Sequence, residues 1–298
     1  MPDPKYMVVA GATGVGKSDL AFETAQKLRT EIVGADAFQI YKGLDILTGK
    51  PTWWQLRSVK HHLISLVPLT ENFDAYKYSS LARETICALN QRGIIPLVVG
   101  GTGFYLHALN QYMPSLPAAN ERLRSELEQR PIPVLLEELA ARDPVAFRRI
   151  DRQNRRRVIR ALEVCILSGR AFSSFATEPT PVPSIPRLYI ERPRAILIER
   201  IKERVNQMFA YGVVQEVAAI KAIGLTASQA IGFSLIRLLL ARRIDENTCR
   251  ELICQQTQHY AKRQSTWFRR QPYESVPADS AVEHLIAVFR RRFPDRQA

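Results

Sequence analysis

The chain contains Gly11-Ala12-Thr13-Gly14-Val15-Gly16-Lys17-Ser18, which fits the pattern G-x-x-x-x-G-K-[ST] of a phosphate-binding loop. Residues 6–10 before it form an apolar run typical of a strand, and residues 18–28 after it have apolar side chains at helical spacing. Glycines let the backbone wrap around an anion, and the start of a helix favours negative charge. We therefore expect this loop to bind a di- or triphosphate. A chance glycine-rich turn is the alternative.

Two side chains of the loop have expected roles. Lys17 adds a positive charge beside the phosphates, and the hydroxyl of Ser18 is placed to ligate a magnesium ion. The sequence therefore predicts Mg²⁺ as a cofactor, with Ser18 as its ligand from the protein.

Length and composition are typical of a soluble protein of one or two domains. The chain has 298 residues, 46% of them hydrophobic, and no apolar run reaches the ~20 residues of a membrane span. Because the chain starts directly with the strand and the loop, we expect no signal peptide, no membrane association and a cytoplasmic location. The four cysteines have no C-x-x-C or zinc-type spacing, so we expect reduced thiols.

The net charge is strongly positive. There are 42 lysines and arginines against 29 aspartates and glutamates, a net charge of +13. Such a surface attracts polyanions, and nucleic acid is the leading candidate. A generally basic, well-solvated surface is the alternative, and only the distribution of the charge distinguishes the two.

Alternating strand and helix patterns predict an α/β fold with a parallel sheet flanked by helices. In such sheets, ligands bind beyond the carboxyl ends of the strands. The phosphate-binding loop, Asp36 and Thr102 all lie at predicted strand ends, so we expect them to share one site. The further predicted elements are strands at residues 31–36, 62–66, 94–99 and 187–190 and a helix at residues 76–91.

Asp36 and Thr102 are the candidates for chemistry outside the loop. Asp36 could ligate magnesium or accept a proton, and the alternative is an aspartate that only makes a local turn. Thr102 lies in a second glycine-rich turn, residues 100–103, where its hydroxyl could bond a phosphate oxygen or the metal. A threonine that only caps the following helix is the alternative.

The composition changes after residue 112 and predicts an inserted helical subdomain at residues 113–186. The core is then formed by residues 1–112 and 187–298, and the proline-rich segment 179–186 leads back to it. Seven arginines lie between residues 148 and 160. A solvated helix is one interpretation, but phosphate contact is favoured because only one acidic residue lies among them. The arginines expected to form a stripe on one helix face are Arg149, Arg152, Arg156 and Arg160.

Residues 258–270 interleave basic and aromatic side chains, which is typical of surfaces that combine phosphate contacts with base stacking. We expect Lys262 and Arg263 to contact nucleic acid. The alternative is an amphipathic helix that buries Tyr260, Trp267 and Phe268.

Together these stretches resemble the tRNA dimethylallyltransferase family, also called tRNA isopentenyltransferases, in its bacterial form without a zinc finger. The resemblance extends over residues 8–270. It is carried by residues 11–18, by Asp36 with Gln39 and Tyr41, and by residues 45–46, 50–52, 100–105, 156–164, 204–209, 231–233 and 261–269.

The resemblance implies a P-loop core with an inserted helical domain that grips the anticodon stem-loop of tRNA. It implies transfer of a dimethylallyl group from dimethylallyl diphosphate to the N6 amine of the adenosine 3′ to the anticodon. Diphosphate is released, magnesium is required, and the loop holds a diphosphate rather than a nucleoside triphosphate. We expect the protein to act as a monomer.

The resemblance also implies roles for individual residues. Asp36 is the general base, and Thr102 and Arg204 lie near the diphosphate and the reacting atoms. The expected tRNA contacts are Asp36, Ala37, Phe38, Gln39, Thr102, Arg124, Arg156, Arg157, Val158, Ile159, Arg160, Lys262 and Arg263.

The sequence departs from the family at five positions: Ala37, Leu47, Gly49, Ser234 and Gln258. The last two replace basic residues that are common in the family, and they put individual phosphate contacts in doubt. The alternatives to this function are an adenylate isopentenyltransferase, a P-loop kinase of small molecules, and a non-catalytic RNA-binding module. The first two leave the arginine-rich insert unexplained, and the third does not require a phosphate-binding loop together with Asp36.

Overall fold

The computed structural model describes residues 4–111, 116–175 and 185–294, and the chain divides into two compact units. One unit is formed by residues 1–110 and 183–298, and the other by residues 111–182. The boundaries expected from the sequence were 112/113 and 186/187. Most of the expected proline-rich return, residues 179–186, lies outside the described residues.

The first unit is built on a six-stranded sheet in the order β3-β2-β4-β1-β5-β6, and every described pairing is parallel. The central strand β1 is fully buried, which explains its unbroken apolar sequence. The predicted parallel α/β sheet is therefore confirmed. The strands are β1 (Met7–Gly11), β2 (Ile32–Gly34), β3 (His61–His62), β4 (Leu97–Gly100), β5 (Arg187–Glu191) and β6 (Glu274–Pro277).

Helices cover the sheet and bury apolar stripes against it. Helix α1, which follows the phosphate-binding loop, buries Ala21, Phe22 and Ala25 in a core that also includes Leu285 and Phe289 of α14. No helix in the described ranges is long and apolar enough to cross a membrane. The helices of this unit are α1 (Lys17–Leu28), α2 (Asp45–Thr48), α3 (Trp53–Ser58), α4 (Ala75–Gln91), α5 (Gly103–Asn110), α10 (Arg194–Ala210), α11 (Val213–Ala218), α12 (Phe233–Leu240), α13 (Glu246–Phe268) and α14 (Ala281–Arg292).

The strands expected at residues 31–36 and 94–99 are Ile32–Gly34 and Leu97–Gly100, and two further strands differ more from the sequence expectation. The strand expected at residues 62–66 is only His61–His62, because Leu63 and Ser65 have φ values of 60° and 52°, which an extended strand cannot contain. Strand β6 was not predicted. Only Val276 of its residues is buried, so it lacks the apolar run that marks the other strands.

The second unit is helical. Its helices pack around a small core that includes Leu135, Leu139, Val158 and Leu162. A short 3₁₀ turn, Phe172–Phe175, follows the last helix. The helices are α6 (Glu121–Glu128), α7 (Ile132–Arg142), α8 (Pro144–Arg149) and α9 (Arg155–Ser168).

The expected arginine stripe on one helix is wrong. Helix α8 ends at Arg149 and α9 begins at Arg155, so Arg152 lies in the turn between them. The break has a local cause, since the side chain of Asn154 accepts a hydrogen bond from the N–H of Arg157 and caps α9.

Candidate active site

The phosphate-binding loop has the backbone of an anion site. Gly14 and Gly16 have φ values of 85° and 92°, which residues with a Cβ rarely adopt. Gly16 is also the N-cap of α1, and no side chain caps that helix start. The N–H groups of the first turn of α1 are therefore available to an anion, where the helix dipole favours negative charge.

The chain segments at the carboxyl ends of the neighbouring parallel strands β2 and β4 approach each other closely beside the loop. A Cβ on Gly100 would lie 2.0 Å from the carbonyl oxygen of Ala35, so only glycine fits there. Two residues after Gly100, the N–H of Thr102 donates to the carbonyl of Ala35 at 3.3 Å. The Thr102 hydroxyl accepts from the N–H of Ala37 at 3.0 Å. Thr102 is thereby fixed beside the loop that carries Asp36.

Asp36 makes a local turn and also lines the pocket. Its Oδ1 accepts from the N–H groups of Phe38 and Gln39 at 3.0 and 3.4 Å. Both contacts use one oxygen, so Oδ2 can face a ligand. The turn therefore orients the carboxylate, and the two interpretations of Asp36 from the sequence do not exclude each other.

Lys17, Asp36 and Arg204 form one electrostatic group. Burial, opposed by the Asp36 carboxylate and reinforced by the positive charge of Arg204, lowers the pKa of Lys17 to about 8. Burial also lowers the pKa of Arg204, again opposed by Asp36. Arg204 Nη2 donates to the carbonyl of Thr48 at 3.1 Å. Two desolvated cations against one carboxylate leave an excess of positive charge, which favours the binding of an anion.

A pocket opens in front of these groups. Both polar and apolar side chains line it, a combination that suits a ligand with a charged group and an apolar group. The lining residues are Lys17, Ser18, Ile32, Gly34, Asp36, Gln39, Pro51, His61, Ile64, Val99 and Gly100.

Three residues that support the loop were not identified from the sequence. Arg192 Nε donates to the carbonyl of Val15 at 2.8 Å, and Arg200 Nε donates to that of Gly14 at 2.9 Å. Gln264 accepts a hydrogen bond from the loop. Gln264 belongs to a stretch that carried the family resemblance, but neither arginine follows a recognisable motif.

A profile of the IPP transferase family matches residues 39–271. The chain belongs to this family. It is 40% identical to tRNA dimethylallyltransferase 1 of Trichlorobacter lovleyi, over 95% of this chain and 98% of the relative. The predicted family and enzyme class, a prenyl transferase, are therefore confirmed.

Solved structures agree with the assignment to the IPP transferases. The full-length tRNA isopentenylpyrophosphate transferase of Bacillus halodurans has a TM-score of 0.71 at 28% identity, covering 99% of this chain and 98% of that one. A eukaryotic dimethylallyltransferase acting on tRNA has a TM-score of 0.79 at 26% identity, covering 93% of this chain and 74% of that one. The predicted P-loop fold with flanking helices is confirmed.

The expected tRNA contacts in the first unit of this IPP transferase differ in accessibility. Lys262 and Arg263 are exposed on α13, and the Arg263 guanidinium lies 5.7 Å from the ring centre of Tyr260. The side chain of Gln39 donates to the carbonyl of Gly49 at 2.9 Å. Phe268 on the same helix is buried as expected, with only 1% of its surface exposed. Helix α13 therefore combines a buried aromatic face with an exposed basic one.

Two of the expected tRNA contacts in the second unit, Val158 and Ile159, need correction because they are buried. Val158 and Ile159 lie in its core, with 0% and 4% exposed, so their side chains cannot reach a ligand at the surface. Arg160 donates to the carboxylate of Glu163 and, at 2.9 Å, to the carbonyl of Pro117. Arg156 and Arg157 are exposed on the first turn of α9.

Arg124 is also engaged within the second unit. Its Nε and Nη2 each donate to the Glu163 carboxylate at 2.9 Å, a bidentate pair. The Glu163 side chain has no exposed surface, and these hydrogen bonds lower its pKa although burial alone would raise it. Arg124 and Arg160 therefore hold a buried carboxylate, and only part of each guanidinium side chain faces solvent.

The residues of the pocket fit a magnesium ion that is shared with a substrate phosphate. The Ser18 side chain lines the pocket at the exposed start of α1, together with the Asp36 carboxylate. Within residues 4–111, 116–175 and 185–294, no cluster of three or more His, Cys, Asp or Glu side chains could hold a metal ion. Mg²⁺ usually takes few protein ligands and completes its shell with phosphate oxygens and water.

Proposed function

We propose that this IPP transferase moves a dimethylallyl group from dimethylallyl diphosphate to the N6 amine of the adenosine 3′ to the anticodon in tRNA. Diphosphate is the leaving group. The observation that carries the proposal is that Lys17 and Ser18 of the phosphate-binding loop line one pocket with Asp36, while Arg204 interacts electrostatically with Lys17 and Asp36. The names of the relatives supply the substrate class.

Stabilisation of the departing diphosphate is the first task of the site. The allylic C–O bond breaks readily because the positive charge on carbon is delocalised, and its electron pair leaves with the diphosphate. The N–H groups at the start of α1, together with Lys17 and Arg204, are the groups that would stabilise that negative charge. A magnesium ion held by Ser18 and the diphosphate would add further positive charge at the leaving group.

Activation of the amine is the second task. The N6 lone pair forms the new C–N bond, and a proton leaves the nitrogen. We assign that proton to the carboxylate of Asp36, which the loop N–H groups orient through Oδ1. Thr102 holds the same loop through the N–H of Ala37. The target base must leave its stack in the anticodon loop to reach this depth.

The alternatives do not account for the second unit. A small-molecule kinase or an enzyme that prenylates free adenine nucleotides requires the phosphate-binding loop and Asp36, but no arginine-rich helical insert. The exposed Arg156 and Arg157 on that insert are the phosphate contacts that a tRNA substrate would use. We further propose that the enzyme acts in the cytoplasm as a monomer.

The proposal is tested by incubating the protein with labelled dimethylallyl diphosphate and Mg²⁺ together with unmodified tRNA, AMP or ATP. We expect the label in tRNA alone. Label in AMP or ATP would support an adenylate isopentenyltransferase. Release of phosphate from ATP onto a small acceptor, with no prenyl transfer, would support a kinase.

A further inference from the structure

Gln264 is a buried polar residue to which the proposed mechanism gives no role. It lies on α13, and its side chain is only 6% exposed. Burial of an amide is costly unless its donor and its acceptor are both bonded. A buried glutamine is therefore expected to form hydrogen bonds that offset the free-energy cost of its burial.

The amide of Gln264 connects two backbone segments of the site. Its Oε1 accepts from the N–H of Thr13 in the phosphate-binding loop at 2.9 Å. Its Nε2 donates to the carbonyl of Gly101, in the turn after β4, at 2.7 Å. Because the two bonds use opposite ends of one planar group, they fix the spacing between the loop and the turn.

The connection continues from this turn to the loop that carries Asp36. Tyr260, about one turn earlier on α13, interacts with the side chains of Gln264 and Thr102. Thr102 in turn accepts from the N–H of Ala37. Helix α13 therefore holds the phosphate-binding loop and, through Thr102, also the loop that carries Asp36.

The neutrality of the amide also matters because Lys17 is close. A Cβ on Gly101 would lie 2.5 Å from Gln264 Nε2 and 3.4 Å from Lys17 Nζ. The two nitrogens are thus within about 6 Å, where an opposite charge favours the charged form of a titrating group. A carboxylate in place of the amide would pair with Lys17 and compete with the diphosphate for it.

We propose that Gln264 is a positioning residue for prenyl transfer, tying the phosphate-binding loop to the Gly101–Thr102 turn so that the diphosphate stays in line with the amine activated by Asp36. This inference rests on the proposed function. Its expected contribution is to the rate rather than to binding, because a misplacement of about 1 Å can cost on the order of 10²-fold in rate.

The test uses two variants and a matched control in the full-length protein. Gln264→Met keeps the side-chain length and removes both hydrogen bonds, while Gln264→Glu keeps the acceptor for Thr13 and adds a negative charge. Thr257→Val is the control: Thr257 lies on the same helix, is also 6% exposed, and its hydroxyl donates to the carbonyl of Ile253 in that helix. We measure kcat and KM for dimethylallyl diphosphate, the Kd for tRNA, and the melting temperature.

We expect kcat to fall by about 10- to 100-fold in both Gln264 variants, with tRNA affinity unchanged. KM for dimethylallyl diphosphate should rise only in Gln264→Glu, because only that variant competes for Lys17. Thr257→Val should keep the kcat and the KM of the unaltered protein.

Unchanged kcat in the folded Gln264 variants, or a loss equal to that of the control, would overturn the inference. Failure of both variants to fold would also overturn it, because Gln264 would then serve the fold rather than the reaction. If the unaltered protein does not prenylate tRNA, the proposed function fails and this inference fails with it. If the unaltered protein prenylates tRNA and the Gln264 variants do so at the same rate, only this inference fails.

Discussion

Arg160 donates a hydrogen bond to Glu163, a carboxylate without exposed surface, and Arg124 holds the same carboxylate from a second helix. Loss of one partner leaves a buried charge partly unpaired, which is more costly than loss of a surface ion pair. We expect Arg160→Ala to lower the free energy of unfolding by about 1–3 kcal/mol, the cost of an unsatisfied buried group. Arg156→Ala, on the exposed side of the same helix, is the control and should change stability by less than about 0.5 kcal/mol.

Urea unfolding of the full-length protein, followed by a signal from the second unit, measures both variants. Equal stabilities of Arg160→Ala and Arg156→Ala would mean that the Glu163 pair does not stabilise this unit. Arg160 would then be available to tRNA, as the sequence first indicated.

The exposed arginines of α9 are expected to contact tRNA phosphates. Replacing Arg156 and Arg157 by alanine should weaken the salt dependence of tRNA binding. The slope of log K against log salt should become less steep by roughly 0.7–0.9 for each phosphate contact that is lost. Affinity for dimethylallyl diphosphate should not change. The measurement is tRNA binding at several salt concentrations. An unchanged slope would mean that tRNA is held elsewhere, with Lys262 and Arg263 as the next candidates.

Asp36→Asn should slow transfer by about 10² or more, as expected on loss of a general base. Asparagine keeps an Oδ1 acceptor for the turn, so diphosphate and tRNA binding should persist. Asp74→Asn is a matched control, because Asp74 caps α4 and asparagine caps helices equally well. Single-turnover rates decide the matter. A near-normal rate in Asp36→Asn would remove this carboxylate from the mechanism.

The lowered pKa of Lys17, about 8, predicts a dependence on pH. Below that pH the ammonium is present and attracts diphosphate, and above it the charge is lost, so kcat/KM for dimethylallyl diphosphate should fall as pH rises through about 8. Bound diphosphate stabilises the ammonium, so the corresponding fall in kcat should occur at a higher pH. Lys17→Arg, which does not titrate in this range, is the control. The same fall near pH 8 in Lys17→Arg would assign it to another group.

The parts of the site that the sequence predicted are those encoded locally. The phosphate-binding loop and Asp36 are each recognised from a few neighbouring residues at a strand end, and the structure brings them to one pocket. Gln264 and Arg200 reach the loop from helices late in the chain, and nothing in their own neighbourhood reveals that contact.

The expected arginine stripe shows what helical spacing could not predict. Spacing alone placed the stripe on one helix, but the cap made by Asn154 starts a new helix, and the buried Glu163 engages Arg160. Burial of the partner decides which arginines remain free for a ligand, and helical spacing does not carry that information.

The most direct test of the central claim is the identity of the product. Unmodified tRNA is incubated with the protein, Mg²⁺ and dimethylallyl diphosphate, then digested to nucleosides for mass spectrometry while released diphosphate is counted. The account predicts one N6-dimethylallyl adenosine, from the position 3′ to the anticodon, for each diphosphate released. Diphosphate release without a modified adenosine in tRNA, or modification of free adenine nucleotides instead, would contradict it.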